Sequence, residues 1–358
     1  MLSERAAFLE EKTDCTNKAN GFRNVLKAGI AKGLQLSIPR DRLGVFKPLI
    51  IGTLNQQEEQ IKSLRFSLYG KGLTTREISN VLEDIYGNSY SKSTVSRMSE
   101  VFHEEIDEWL ARPLESYYPI VFVDALYLKV RRDVVSTEAF YVVLGVKDDF
   151  TREVLGVINI PTESASGWED VLNTLKDRGM NEVSLFVSDD LKGLSTSISK
   201  VYPNSKQQKC VVHFQRNLGR QVRVKDREEF FLGLKKIFDP DNMRRTQVNS
   251  LRLLRAFLVT WSKHYPYLKG VSLRLDLSLY FTYLSYDRHV RRMIYTTNWI
   301  ERFNKSVKRT TKVRNALPTP RAGLMLIGYV GMEMGEGTYK YPIANFKFEA
   351  AFDKKVDC

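Results

Sequence analysis

Cysteine and histidine are scarce in this 358-residue chain, with three of one and four of the other. Cys15, Cys210 and Cys358 are odd in number and widely scattered, which excludes a disulfide framework and fits a reducing compartment. The same scarcity argues against a structural zinc cluster. No stretch approaches the run of about 20 apolar residues that spans a bilayer. The N-terminal MLSERAAFLEEK has no apolar signal core, so a soluble intracellular protein without a membrane partner is expected. Low-complexity runs and internal repeats are also missing. Acidic charge is in short supply: 55 Lys and Arg face 42 Asp and Glu, a formal net charge of +13, with an isoelectric point near 9.5. That balance favours a nucleic-acid partner, with an anionic membrane surface as the weaker alternative. What is present in quantity is apolar material, 43% of the chain, enough for a large core and two or three domains.

Charge is least balanced in TTNWIERFNKSVKRTTKVRN, residues Thr296–Asn315. Ile300, Phe303 and Val307 recur at helical spacing and predict a core-facing stripe, while Glu301, Lys305, Lys308 and Lys312 share the opposite side. From Arg302 to Asn315 there is no Asp or Glu, so the acids that normally pair with exposed helix cations are missing. Two readings compete. In one, this is a basic surface helix whose Glu301 is an ordinary first-turn acid favoured by the helix dipole, capped by Thr297 or Asn298. In the other, the cations hold the phosphates of a polyanion and Glu301 helps bind a metal at the bond to be cut.

Residues 1–59 read as a small unit, a short helix followed by β segments around Gly21–Leu26 and Leu34–Ile38 and closed by PRDR. From Gln60 the pattern turns helical, and 60–112 has the length and order of a helix-turn-helix domain. Thr74 or Thr75 caps the middle helix, Ile78, Val81, Leu82 and Ile85 form its apolar face, and Gly87 stops it. Ser91 or Ser93 caps the third helix, which leads with Lys92, Ser93, Thr94, Ser96 and Arg97, small hydrogen-bonding and basic residues suited to DNA. A plain helical hairpin is the competing reading.

The period changes at Pro119. Ile120–Val130, Phe140–Val146, Val154–Ile160 and Val183–Val187 predict four strands, and Gln208–His213 a short fifth. Ser166 and Glu169 read as the capping box of a helix between the third and fourth strands, stopped by Gly179. A stripe of Leu191, Leu194, Ile198 and Val201 marks another helix, ending at Pro203. Three strands on short connections, then helix, strand, helix, strand, predict an α/β fold with a mixed five-stranded sheet: antiparallel at first, parallel later. Residues 113–217 would form the first part of this domain and 291–358 the second. Between them, 218–290 read as an all-helical insertion whose stripes (Phe230, Leu234, Ile237 and Phe238; Leu251, Leu254, Leu258, Trp261 and Tyr265) are core.

Asp124 interrupts an otherwise apolar strand, and a buried carboxylate is costly unless paired, hydrogen-bonded or bound to a metal. Asp189 falls at the carboxyl end of the fourth strand, where α/β sheets place ligands. Central strands are only about 5 Å apart, so both carboxylates can reach one cation. With Glu301 they make an all-oxygen site suited to Mg²⁺. Cys210 and His213 alone would be half a zinc site; strand-edge packing for the thiol and a phosphate or carboxylate contact for the imidazole are the competing readings.

Six blocks, taken together and in order, resemble one family. They are IPRDRLGVFKP, VFVDALYLKVR around Asp124, ESASGWEDVLNTLKDRG, FVSDDLKGL around Asp189, CVVHFQRN, and TTNWIERFNKSVKR around Glu301. They resemble the mutator-type transposases of bacterial insertion sequences, DDE enzymes with a ribonuclease-H-like catalytic domain, and the resemblance covers about Ala19 to Phe346. It implies that Asp124, Asp189 and Glu301 bind the metal, two Mg²⁺ ions that Mn²⁺ can replace. It also implies that Cys210 and His213 match the family's Cys-x-x-His, placing His213 at the catalytic site. The sequence departs from the family pattern in having Asp189-Asp190 where Asp-Gly is usual; strand-end position favours Asp189 as the ligand. The N-terminus begins later than in such transposases, so a leading helix is expected to be missing.

The implied activity is binding of terminal inverted repeats, metal-dependent DNA cleavage and strand transfer, by a homodimer or larger assembly in the bacterial nucleoid. Arg302, Lys305, Lys308, Arg309, Lys312 and Arg314 would clamp backbone phosphates of element and target DNA. The rivals are a nuclease or junction resolvase on the same fold without strand transfer, and a non-catalytic helix-turn-helix DNA-binding protein.

Overall fold

The structure, a computed structural model, describes residues 1–11, 16–27, 34–86, 92–159, 165–274, 276–312 and 314–343. It divides into two compact units, Met1–Glu105 and Ile106–Cys358. Helix α4 crosses that division, so the sequence boundary drawn at 112/113 falls just past this helix.

In the first unit, helix α1 (Leu2–Glu11) precedes an antiparallel hairpin of β1 (Ala19–Lys27) and β2 (Leu34–Asp41). The PRDR block closes this hairpin through Asp41, which is 1% exposed. Its carboxylate accepts hydrogen bonds from Asn17 Nδ2 at 2.8 Å and from the amides of Val45 and Phe46 at 3.1 Å. These bonds overcome burial and hold the carboxyl below the usual range. Helix α2 (Leu49–Gly70) starts well before Gln60, where the sequence pattern placed the change to helix. Helix α3 (Thr75–Tyr86) is introduced by a capping box: the Glu77 amide donates to Thr74 Oγ1 at 3.3 Å, and the Glu77 carboxylate accepts from the Thr74 amide at 2.7 Å. Ile78 and Leu82 pack with Ile61 in the core, but Ile85, expected on the same face, stays 57% exposed in the last turn. Helix α4 (Lys92–Ala111) follows. Gly87 and Ser91, and the side chains of Lys92, Ser93, Thr94, Ser96 and Arg97, lie outside the described residues.

In the second unit, β3 (Tyr117–Arg131), β4 (Val135–Val146) and β5 (Arg152–Asn159) are followed by α5 (Ala165–Asp177), β6 (Glu182–Ser188), α6 (Leu194–Val201), β7 (Lys206–Lys209) and α7 (Val211–Gly219). The sheet order is β5-β4-β3-β6-β7, with β3–β4 and β4–β5 antiparallel and β3–β6 and β6–β7 parallel. This is the predicted mixed sheet. Ile160, and the Ser166 side chain of the expected capping box, lie outside the described residues; Glu169 instead pairs with Lys200 at 2.5 Å.

The fifth strand needs correction. It ends at Lys209, and Cys210 and His213 stand at the start of α7 rather than in a strand. An apolar CVVHF run fits either state by periodicity. What decides is that the Cys210 side chain caps the helix, accepting from the His213 amide at 3.5 Å.

Both faces of the sheet are covered, which explains why β3 and β4 are buried almost continuously. One face packs Val121, Val123, Tyr141 and Val143 against Trp168, Leu172 and Leu175 of α5 and Leu194 and Ile198 of α6. The opposite face is covered by α12 (Asn298–Thr311) and α13 (Pro320–Met334). Strand alternation puts Asp124 on that second face, with Phe122 and Leu126.

Between the two parts of this unit lie α8 (Arg227–Ile237), α9 (Gln247–Ser262), α10 (Tyr267–Arg274), α11 (Arg288–Ile294) and three short 3₁₀ turns, one before α8 and two between α10 and α11. They pack through aromatic rings: Phe230 against Trp261 at 5.0 Å between centroids, and Phe238 stacked on Phe281 at 4.7 Å. The insertion meets the sheet edge where the Tyr283 amide donates to Gln208 Oε1 at 2.7 Å.

Gly145 in β4 has no room for a side chain: an added Cβ would lie 2.8 Å from Tyr118 and 2.9 Å from Leu155, both buried. Gly145→Ala is expected to destabilise the chain by about 1–3 kcal/mol, read as a lower urea midpoint at unchanged slope.

Candidate active site

Parallel pairing of β3 with β6 sets Val123 beside Ser188, so one step further along each chain Asp124 comes beside Asp189. Asp124 is 6% exposed. One carboxylate oxygen accepts from the Ala125 amide at 2.9 Å and the other from Asn304 Nδ2 at 2.7 Å. Asn304 is on α12, one turn after Glu301, and shares the buried face of Ile300, Phe303 and Val307. The bond between Asn304 and Asp124 therefore fixes the rotation of α12 against the sheet and leaves Glu301 at the buried edge.

His213, in the first turn of α7, links the other two acids. Its Nδ1 lies 2.6 Å from Asp189 Oδ1, and its Nε2 lies 3.6 Å from Glu301 Oε1. Thr297, the N-cap residue of α12, makes no capping bond. Its hydroxyl instead reaches Cys210 Sγ at 3.5 Å and His213 Nδ1 at 3.4 Å. The backbone secures the same junction, the Val211 amide donating to the Tyr295 carbonyl at 3.1 Å. Asp190 is committed elsewhere, its Oδ1 2.5 Å from Lys209 Nζ. Asp124, Asp189, Glu301 and His213 thus converge from the middle of one strand, the end of another and two helix starts.

The electrostatics follow from this convergence. Burial, then the charge of Asp189, and more weakly that of Glu301, push the Asp124 carboxyl from 3.8 up to about 7. The hydrogen bond to Asp189 raises His213 from 6.5 to about 10, so it is an imidazolium at neutral pH. The three acids are linked here through His213 and through the charges felt at Asp124, and carboxylate oxygens are the donors a hard divalent cation takes. The charge concentrated on buried Asp124 is what such a cation would neutralise. Asp189, Cys210 and His213 also offer donor atoms within 4.8 Å of one another.

Lys305, Lys308, Arg309 and Lys312 are exposed on the outer side of α12. Among the described residues none of these four has a carboxylate within ion-pairing distance. Arg302 is exposed beside Glu301, and Arg314 is partly buried beyond the helix end. Lys92, Ser93, Thr94, Ser96 and Arg97 fall on the first turns of α4, in the other unit. Sequence reasoning missed Asn304 and Thr297. The signal for Asn304 was available, a polar residue at helical spacing within an apolar stripe; Thr297 had none beyond its capping position.

The family model for transposases of the Mutator family matches residues 5–340. The chain belongs to this family. Among the curated relatives of this Mutator-family transposase, it is 35% identical to the transposase for insertion sequence element IS905 of Lactococcus lactis, over 81% of this chain and 72% of that one. It is also 35% identical to a probable transposase for an ISRM3-like element of Sinorhizobium fredii, over 91% and 83%. Among solved structures, a chain of the Drosophila P element transposase strand transfer complex superposes with a TM-score of 0.38 at 10% identity, covering 78% of this chain and 92% of that one, a likeness too loose to build on. No helix among the described residues is long and apolar enough to cross a membrane.

Because folded Asp124 keeps its proton up to about pH 7 whereas the unfolded chain loses it near 3.8, the metal-free protein loses stability as pH rises across that window. Asp124→Asn is therefore expected to raise metal-free stability at pH 8, by on the order of 2 kcal/mol. Thermal melts in EDTA at pH 5 and pH 8 check this, with the difference between variant and parent shrinking at pH 5.

Proposed function

We propose that Asp124, Asp189 and Glu301 are the catalytic acids of a DDE-type site in a ribonuclease-H-like domain formed by residues 113–217 and 291–358, with 218–290 inserted. The observation that carries the reading is the single imidazole held between Asp189 and Glu301, with the charges of both acids raising the carboxyl of Asp124. Three acids from distant parts of the chain have no structural reason to meet at a partly exposed point, since their mutual repulsion opposes folding.

The three carboxylates would hold divalent cations, Mg²⁺ with Mn²⁺ as a substitute. When bound, these supply activation of a water or 3′-hydroxyl and stabilisation of the leaving oxygen. The chain's own residues do the rest. Asn304 sets the rotamer of Asp124. His213 orients Asp189 and, as a cation, moderates the repulsion between Asp189 and Glu301. Thr297 steadies the imidazole, and Lys209 draws Asp190 away, which favours Asp189 as the ligand.

The reaction we infer is cleavage at the 3′ ends of an insertion sequence, followed by attack of the freed 3′-hydroxyl on target DNA. The exposed cations Arg302, Lys305, Lys308, Arg309 and Lys312, with Arg314, would clamp backbone phosphates, which positions DNA without reading its sequence. Residues 60–112 would serve as a helix-turn-helix module reading terminal inverted repeats, with Lys92, Ser93, Thr94, Ser96 and Arg97 leading α4. Residues 1–59 make a hairpin and helix unit with no assigned role. Joining two ends calls for a homodimer or larger assembly, acting on the nucleoid in the bacterial cytoplasm.

Glu301→Gln tests the site. Cleavage of a duplex carrying the element terminus is expected to fall by at least about 100-fold, with affinity for the same duplex kept within about twofold. Retained cleavage would refute the acid assignment. A second assay supplies pre-cut ends: joined products are expected from the parent chain, and nicking without joining would point instead to a nuclease.

A further inference from the structure

Arg152, the first residue of β5, is a half-buried cation with no acid to answer it. Among the described residues no carboxylate pairs with it. Its guanidinium lies between two aromatic rings, 5.0 Å from the Trp299 centroid and 4.8 Å from that of Tyr339. Trp299 carries a second guanidinium, that of Arg302, at 5.5 Å. Arg302 is exposed and likewise has no carboxylate partner among the described residues.

This arrangement is unfavourable as it stands. Burial, and then the charge of Arg302, hold Arg152 below the ordinary arginine range. Arg152 Nε is buried without an acceptor, and so is the hydroxyl of Tyr339, a residue only 2% exposed. Arg152 Nη2 has only long bonds to the carbonyls of Thr338 and Tyr341, at 3.3 and 3.4 Å. A cavity of about 350 Å³ opens beside the cluster, lined by Arg152, Tyr339 and Lys340 and by Arg112 and Lys147, which are already paired with Glu153 and Glu115. Two guanidiniums around an indole, with donors left over, want an anion with several acceptor oxygens.

We propose that Arg152, Trp299 and Arg302 form a phosphate clamp for DNA, gripping a backbone phosphate removed from the one that is cut. The separation follows from the sheet. Asp124 pairs with Val142 and Val142 with Val157, whereas Arg152 sits in the row of Val146 and Ile120. Four residues along β3 is about 13 Å, and β5 lies two strands away. Arg152 therefore cannot reach the phosphate at the acids, while Trp299, two residues before Glu301 on α12, ties the clamp to the catalytic helix. Held against two rings, the guanidinium of Arg152 is pre-organised, and less entropy is lost on binding. The inference rests on the DNA-processing reading above and adds a contact outside its acids and outside the outer row of α12 lysines.

The test is equilibrium binding of the full chain to two duplexes in EDTA, where no cleavage occurs, at salt from 50 to about 200 mM. One duplex is taken from the DNA flanking its reading frame and the other is unrelated. Arg152→Gln and Arg302→Gln are each expected to lower the slope of log affinity against log salt by about 1 and to weaken binding about 5- to 20-fold at the middle of the range. Arg132→Gln is the control: that exposed arginine is already paired with Glu138 at 2.6 Å and should leave the slope unchanged. Loss on both duplexes assigns the clamp to any DNA backbone, target included; loss on the flanking duplex alone assigns it to the element end. Parent-like slopes in both clamp variants, or an equal drop in Arg132→Gln, would overturn the clamp while leaving the catalytic reading intact. No binding of either duplex by the parent chain would overturn both. Should Arg152→Gln fail to fold, Arg152→Lys, which keeps the charge and loses the planar fork, carries the test: weaker binding of the same duplexes is expected, and parent-like affinity would overturn the clamp.

Discussion

A carboxylate seated in the middle of the most buried strand constrains everything built around it. Asp124 has apolar neighbours along β3, a partner strand on each side and a helix across its face, so its charge is dehydrated on every side but one. The protein answers with two neutral donors, the Ala125 amide and Asn304, which satisfy its oxygens without cancelling its charge. A lysine or arginine there would have neutralised it and closed the site. Choosing amides leaves a negative potential that Asp189 and Glu301 reinforce.

Around that potential the chain is stitched by few but specific contacts. Asn304 fixes how α12 lies on the sheet, and Cys210 caps α7 so that His213 turns toward Asp189. Thr297 gives up the ordinary duty of its position, capping α12, to hold the same imidazole. Local helix stability is thereby exchanged for precision at the acids, the kind of exception to local rules that marks functional sites.

The sheet could be read from the sequence because its strands are long, apolar and separated by clear breaks, and because the order of strands and helices admits few pairings. Asp124 and Glu301 were legible for opposite reasons, one a polar residue where none belongs and the other an acid alone among cations. Element ends were harder. A four-residue strand running into a helix through an apolar CVVHF segment offers no change of period, and only a capping bond to a thiol, an unusual N-cap, decides where one stops. Ile85 misled in the other direction, since periodicity says which side of a helix is apolar and not how far along it the neighbouring core extends. Asn304 could be noticed as an amide within an apolar stripe, but its role emerges only once its partner, remote in sequence, is placed opposite.

The bond between the Val211 amide and the Tyr295 carbonyl closes the helical insertion at its neck. Everything from α8 to α11 leaves and returns past that bond, and Thr282 and Tyr283 tie the same stretch to the sheet edge at Gln207 and Gln208. The insertion is thus moored just before and just at the start of α7, so its helices brace the turn from which His213 projects.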